Sequence, residues 1–244
     1  MKKLLFLFVL ATTFNAISQE SVLLRANYKK GDVLLVKLDQ SQDMGAQGGV
    51  DMKMTMNMVV TSRVGDTIST ESKIKTIDMN MLQGGMAMSF NSSMKEEDLD
   101  EMGKMMKKQF DPMMKANILS KMSTDGDIIE TRVEPSNPAM DQFTKQAKGV
   151  KYPKEKISVG STWSDETNEQ GMNVKTVYTV SKIEAGKVYI DITGSVSGVG
   201  TGDVTGNLIV DIKTGIQDTA NIKMALSANG IDMKISTKST TTKI

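Results

Sequence analysis

Four methionines stand at alternate positions, Met52, Met54, Met56 and Met58, and fifteen of the chain's 21 methionines fall between Met44 and Met114. Thioethers fill irregular apolar space, grip variable apolar partners and ligate soft metals. Three readings follow. The methionines line a groove or cavity for an apolar ligand, they fill an ordinary core, or M-x-M pairs bind Cu(I) or Ag(I). The last lacks its usual helpers, since the chain has neither cysteine nor histidine, and four neutral sulfurs make a weak site.

The missing histidine removes more. Ser-His-Asp and Cys-His triads, histidine-ligated zinc and the usual neutral-pH base are all absent. Carboxylate, lysine, tyrosine or serine chemistry remains, and no pair of carboxylates is marked for glycoside hydrolysis. Asp125-Gly126-Asp127 lacks the alternating ligands of a calcium loop and fits a hairpin turn. Gly198, Gly200 and Gly202 do not form a dinucleotide fingerprint, so Gly198 to Gly206 is read as a glycine-rich turn. Glu96, Glu97, Asp98, Asp100 and Glu101 read as a solvated helix start, and Trp163 as a core anchor. With aromatic residues at 5%, a carbohydrate-stacking face is not expected.

Period-two alternation over most of the chain predicts half-buried antiparallel strands to position these groups. The opening strand covers about Asp32 to Asp39 and the methionine strand Asp51 to Arg63, turning at Val64-Gly65-Asp66-Thr67. The return strand carries Ile68, Thr70, Ser72 and Ile74, then Ile77, Met79 and Met81, and the change of parity near Thr76-Ile77 predicts a bulge. After Gln83-Gly84-Gly85, Met86, Met88 and Phe90 share one face, which sets Met79 and Met81 opposite Met86 and Met88 in a simple register. A helix over 94–110 is expected from the capping-box spacing of Ser93 and Glu96 and the stripe Leu99, Met102, Met106 and Phe110, with Met105 alongside. Asp111-Pro112 ends or kinks it. Ile118 to Met122 and Ile128 to Val133 form a further hairpin, and a second helix is expected over Pro138 to Gln146.

The second half reads as a variation on the first. Gly160-Ser161-Thr162-Trp163 opens it as Gly31-Asp32-Val33-Leu34 opens the first, and strands follow over Val174 to Ile183, Val188 to Ser195, Leu208 to Ile212 and Ile216 to Leu226. Ile231, Met233 and Ile235 alternate in a last strand that ends in a Ser/Thr tail. Two similar meanders, about 19–150 and 151–244, would share one sheet or barrel in a single domain.

Lys2 and Lys3 followed by the apolar run Leu4 to Ala11 form a signal peptide over residues 1–18, with Ala16 and Ser18 before the cleavage point. Its loss leaves 28 basic and 29 acidic residues, a balance with no electrostatic footprint for nucleic acid. No later segment is apolar for long enough to span a bilayer, and no lipobox cysteine is present. Export to the periplasm or beyond is expected.

Several of these features resemble a known family. The Tyr28-to-Gly31 entry, the methionine strand, the Leu119-to-Ile129 hairpin LSKMSTDGDII and the re-entry KISVGSTW at Lys156 to Trp163 are similar to the exported domain-of-unknown-function family numbered 6263, of Bacteroidetes-type bacteria. That resemblance implies a β-rich exported protein and supplies no catalytic residues. By architecture, the pattern is also similar to the half-barrel folds of periplasmic lipoprotein carriers, which suggests an apolar cavity.

The expected molecule is mainly β (α+β): a curved antiparallel sheet or half-barrel from two similar meanders, with one or two helices on one face. Its expected role is non-enzymatic binding of an apolar lipid, acyl chain or peptide. The expected lining is Met52, Met54, Met56, Met58, Met79, Met81, Met86, Met88, Met102, Met105, Met106 and Phe110. A structural envelope protein with a filled methionine core is the first alternative and Cu(I)/Ag(I) binding the second. No cofactor, metal site, catalytic residue or nucleic-acid partner is expected.

Overall fold

The computed structural model describes residues 20–136, 140, 149–169, 171–228 and 230–244. The expected signal peptide, and the second helix apart from Met140, lie outside them. Twelve strands form one antiparallel sheet. β1 (Val33–Asp43), β2 (Gly48–Val64), β3 (Thr67–Gln83), β4 (Met86–Asn91), β5 (Asn117–Ser123) and β6 (Ile128–Glu134) come from the first half. β7 (Thr162–Glu169), β8 (Met172–Glu184), β9 (Lys187–Gly198), β10 (Thr201–Asp211), β11 (Gln217–Ala228) and β12 (Ile231–Lys243) come from the second. The spatial order is β6-β5-β3-β2-β1-β12-β11-β10-β9-β8-β7, with β4 beside the far half of β3. Each half is a meander, and the first and last strands pair to make the two one sheet.

Paired residues of an antiparallel ladder share a face, so the register can be followed from strand to strand. One row runs Phe90, Met79, Met52, Gln40, Thr237, Ile222, Gly206, Ile192, Tyr178 and Trp163. The row on one side of it runs Ile77, Met54, Leu38, Ser239, Ala220, Leu208, Ile190 and Val180. On its other side stand Met88, Met81, Val50, Gln42, Ile235, Met224, Val204 and Gly194. This face is apolar and is covered at both flanks. The opposite face carries Lys37, Asp39, Lys53, Lys234 and Lys238, all exposed.

The residues before β1 strap one end of the sheet. Val22 and Ile157 exchange both backbone hydrogen bonds at 2.8 Å, Ala26 N–H donates to Thr124 O at 2.7 Å and Asn27 N–H to Thr214 O at 2.7 Å. The Arg25 guanidinium donates to the carbonyls of Pro153 (2.8 Å) and Lys154 (2.9 Å). Leu24, Ala26 and Tyr28 alternate inward and are buried, and with no hydrogen bond to offset it, burial raises the Tyr28 phenol to about 12. The strap thus ties the β5–β6 and β10–β11 turns to one another. At the free end, the β1–β2, β3–β4, β9–β10 and β11–β12 turns are left apart from it.

Curvature has a visible cause in β9 and β10. Gly194, Gly202 and Gly206 all lie on the covered face. A Cβ there would stand 2.3 Å from Lys175 O, 2.0 Å from Ala225 O and 2.2 Å from Asn221 O, respectively. Only glycine permits that approach, and the sheet curls. Asp127 and Ile128 of one margin and Asp165, Glu166 and Thr167 of the other line a common gap of about 230 Å³, bridged by Gly149 and Lys151. The sheet therefore curls without closing into a barrel.

The helix α1 (Glu101–Lys115) lies on the covered face over β3 and β4. It begins later than the sequence predicts. Glu96–Asp98 form a 3-10 turn, and the cap of α1 is Asp100, whose carboxylate accepts from Gly103 N–H at 2.7 Å. Leu99 stays extended and buried, packed where Gly103 has no side chain. Nor does Pro112 end the helix. It sits in the last turn, where only one ladder bond is lost, and its carbonyl accepts from Ala116 N–H at 3.2 Å.

Three other expectations change. The register places Met79 opposite Phe90, Met81 opposite Met88 and Met86 opposite Gln83, two residues from the simple pairing. Gly202 and Gly206 belong to β10 rather than to a turn, and the Ser/Thr tail is the second half of β12. The bulge stands as read: Thr55 pairs with Thr76 but Met56 with Ile74, leaving Lys75 extra.

Two predictions follow from this frame. Gly206→Val forces a Cβ against a backbone oxygen, and urea unfolding should show a loss of about 1–3 kcal/mol, the usual cost of overpacking. At the strapped end, the Lys243 ammonium and the Lys29 N–H lower the Asp32 carboxyl, and the Thr214 hydroxyl and N–H lower that of Asp211. A carboxylate lowered by folding stabilises above its unfolded pKa and loses that contribution as pH falls through its folded value. Between pH 5 and 3 the thermal midpoint should fall, and fall less steeply in Asp32→Asn and Asp211→Asn, as read by circular dichroism.

Candidate functional site

The twelve residues expected to line the site fall in three environments. Met54, Met79 and Met106 are buried together with Ile74, Ile77, Phe90 and Ile118, and Phe110 stacks on Phe90 at 5.3 Å between ring centroids. Met56, Met81 and Met88 pack half-buried against the same cluster. Met58 packs toward the strapped end, against Leu34, Val60 and Ile68. Met52 is half-buried, on the same face but outside these clusters. Met86 (66% exposed), Met102 (39%) and Met105 (64%) face outward. The helix turns Gly103, Met106 and Phe110 to the sheet, which leaves Met102 and Met105 on its rim and back.

A second packed cluster covers the other flank. Val180, Val188, Ile190, Leu208 and Val210 are fully buried beneath Leu24, Tyr152 and Ile157. Trp163 lies against this cluster, stacked on Tyr178 at 5.3 Å, with its indole N–H buried and without an acceptor among the described residues.

Between the clusters runs a seam along β2, β1 and β12. Val36, Met52, Ile231, Met233 and Ile235 point to the covered face, yet are only half-buried and pack against neither cluster among the described residues. Leu38 and Met56 border the seam on one side, and Ile222, Met224 and Leu226 on the other. The contribution of β12 here is not marked in the sequence. Its alternation is plain, but its neighbour β1 lies about two hundred residues away in the chain, and nothing local names that partner.

Polar groups also reach the seam. Gln40, Gln42, Thr237, Ser239 and Thr241 share its face and are half-buried. Gln42 Nε2 donates to Met233 Sδ at 3.1 Å, a weak acceptor. From β3 across to β9, the three rows that cross the seam hold no charged side chain.

The larger surface cavities are elsewhere. One of about 580 Å³ at the free end is lined mainly from the polar face, by Ser41, Asp43, Asp51, Asn80, Leu82, Ala87 and Ser89, and reaches Gln42, Val50, Met81 and Met88. Another of about 380 Å³ continues it past Asp203, Lys223, Lys234 and Ser236, also chiefly from the polar face, and reaches Met224 and Ile235. Among the described residues no group of three or more carboxylates is placed to hold a metal ion. No described helix is long and apolar enough to cross a membrane.

No protein-family model and no curated protein sequence matches the chain, so the resemblance to the family numbered 6263 has no such match behind it. Solved structures do. A structure described as lipid–protein interactions in lipovitellin aligns over 89% of this chain at 9% identity, with a TM-score of 0.56. This chain spans 25% of that one, and the likeness is one of fold. A putative outer membrane lipoprotein-sorting protein domain from Vibrio parahaemolyticus aligns over 89% of this chain and 87% of its own at 8% identity, with a TM-score of only 0.22.

Burial separates the methionines experimentally. Met106→Ala should cost about 2–5 kcal/mol in chemical denaturation, as for a large side chain removed from a packed core. Met105→Ala should stay within about 0.5 kcal/mol of the parent. Equal losses in the two would contradict the orientation of α1.

Proposed function

We propose that this is an exported binding protein, without catalysis, for an apolar ligand of the acyl type held along the β2–β1–β12 seam. One observation carries the reading. The middle of an otherwise covered apolar face stays half-exposed, although burying an apolar surface is favourable by about 25 cal/mol per Å². An apolar chain laid on Val36, Met52, Met233 and Ile235 would remove that surface from water. Methionine suits such a wall because its unbranched thioether adapts to the chain it meets.

The fold likeness to lipovitellin, a protein whose structure is described by its lipid–protein interactions, agrees with this reading. Export rests on Lys2, Lys3 and the apolar run Leu4 to Ala11. Membership of the exported family numbered 6263 would fit the same picture, with the entry at Tyr28 to Gly31 and the re-entry at Lys156 to Trp163 as its marks.

A second reading, a structural envelope protein with methionines as filling, is favoured by the packed state of Met54, Met79 and Met106. These three belong to the core under either reading. The two differ at the seam.

The test is uptake of the lipophilic dye N-phenylnaphthylamine by the mature chain, with mass spectrometry of lipids carried through purification. Uptake should be saturable, and Ile235→Glu should weaken it at least about tenfold while leaving the unfolding midpoint close to the parent's, since Ile235 packs against neither cluster. Absence of both dye uptake and carried lipid supports the structural reading instead.

A further inference from the structure

The polar residues of the seam say more about its ligand than the apolar ones do. Thr237, Ser239 and Thr241 stand in line on β12, with Gln40 beside Thr237 on β1. Met52 flanks this line on one side, and Ala220 and Ile222 flank it on the other. None of the four polar side chains has a hydrogen-bond partner among the described residues, and all four are half-buried. The neighbouring Gln42 amide settles on a thioether. A chain laid over the seam would take these groups out of water, and each donor or acceptor so covered costs free energy unless the ligand supplies its complement. The ligand that fits is apolar along most of its length and polar where it crosses Gln40 and Thr237.

Charge decides which polar group that is. An ionised carboxylate or phosphate brought into this lane would need a cation within a few ångströms, because an unpaired buried charge is far more costly than a neutral dipole. The three rows across the seam offer none from β3 to β9. Lys243 lies on the same face toward the strapped end, but its ammonium is held by Asp32 at 2.7 Å. Amides and hydroxyls are the partners of esters, amides and alcohols. We infer that the seam takes a neutral acyl ester or amide, with the acyl chain toward Met233 and Ile235 and the ester or amide group at Gln40, Thr237 and Ser239, in preference to a free fatty acid or an anionic headgroup. This rests on the binding function proposed above and narrows it.

The experiment displaces N-phenylnaphthylamine from the mature chain at pH 7.5 with two ligands of one acyl chain, 1-monooleoylglycerol and oleate, each below its aggregation limit. The glyceride should compete at least about tenfold better. Gln40→Leu and Thr237→Val, both close in size to the parent residue, should each cut that preference several-fold, about the worth of one neutral hydrogen bond. Their unfolding midpoints should stay near the parent's, and the preference is read as the ratio of the two ligands against the same dye on the same variant, so a change in dye affinity cancels. Equal competition by the two ligands, tighter oleate, or a preference that survives both substitutions overturns the neutral-ester assignment while the dye result leaves the binding function standing. Failure of the parent to take up dye or either ligand removes both.

Discussion

The rest of the structure depends on the pairing of β1 with β12. Ten residue pairs, from Leu34 with Lys243 to Asp43 with Lys234, join the first strand to the last and make two meanders one sheet. Each flank has its own cover. The first carries α1 between β4 and β5, and the second is closed over by the strap at 20–28 and the segment 149–157. Those covers sit where the chain connections put them, toward the margins. The strands that meet in the middle have no connection passing over them among the described residues, so the least covered part of the apolar face is the junction itself. A sheet that must bury one face thus acquires an opening without any residue being dedicated to it.

The methionines acquire two jobs from that geometry. Met54 lies under α1 with Ile77 and Met106 and is as buried as a valine or isoleucine would be there. Met52, two residues away on the same face, stands beside Gln40 at the seam. One strand therefore passes from packed core to half-open wall within a single period of the pleat. β-branched residues suit strands better by propensity and specify a core more sharply. Their stiffness is an advantage beneath the helix and a drawback at the seam if, as proposed above, that surface closes on a ligand.

How much of this was legible follows from how local each signal is. Strands, hairpin turns and the bulge at Lys75 are written in alternation and its breaks, and they stand close to where the sequence sets them. The helix starts later than its sequence pattern suggests because two capping signals compete, about two turns apart. Ser93 with Glu96 matches the pattern, yet Asp100 caps, since starting there lets Leu99 remain extended and buried against Gly103. β10 was half hidden by glycines that permit a close approach of strands rather than a turn, a distinction set by Ala225 and Asn221 on another strand. The seam was legible only in part, at Met52 and in the alternation of the last strand. It is made of Gln40, Met52, Thr237 and Ile235, and what unites them is a long-range register.

The incomplete closure of the sheet bears on access to that seam. A fully closed barrel would have no edges, whereas here β6 and β7 remain as margins, bridged by Tyr152 N–H donating to Asp125 O at 2.7 Å and by the Lys151 ammonium on Asp127 at 2.6 Å. Both margins are short and carry charge, Glu130, Arg132 and Glu134 on one and Asp165 and Glu166 on the other, which discourages pairing with another chain. The strap fastens only one end. Its ties to Thr124, Thr214 and Ile157 are backbone hydrogen bonds, while among the described residues the turns after β1, β3, β9 and β11 have no such ties to one another. Under the proposed function, a ligand would enter from the free end, past Met233, Leu226 and Val50, where the lining is apolar, and would meet Gln40 and Thr237 only farther in. For the orientation proposed above, the ester or amide end would lead, or the chain would fold back, to satisfy that order. The gradient from thioether and isoleucine to amide and hydroxyl gives the seam a direction, set by the polarity of β12 and the register that lays it against β1.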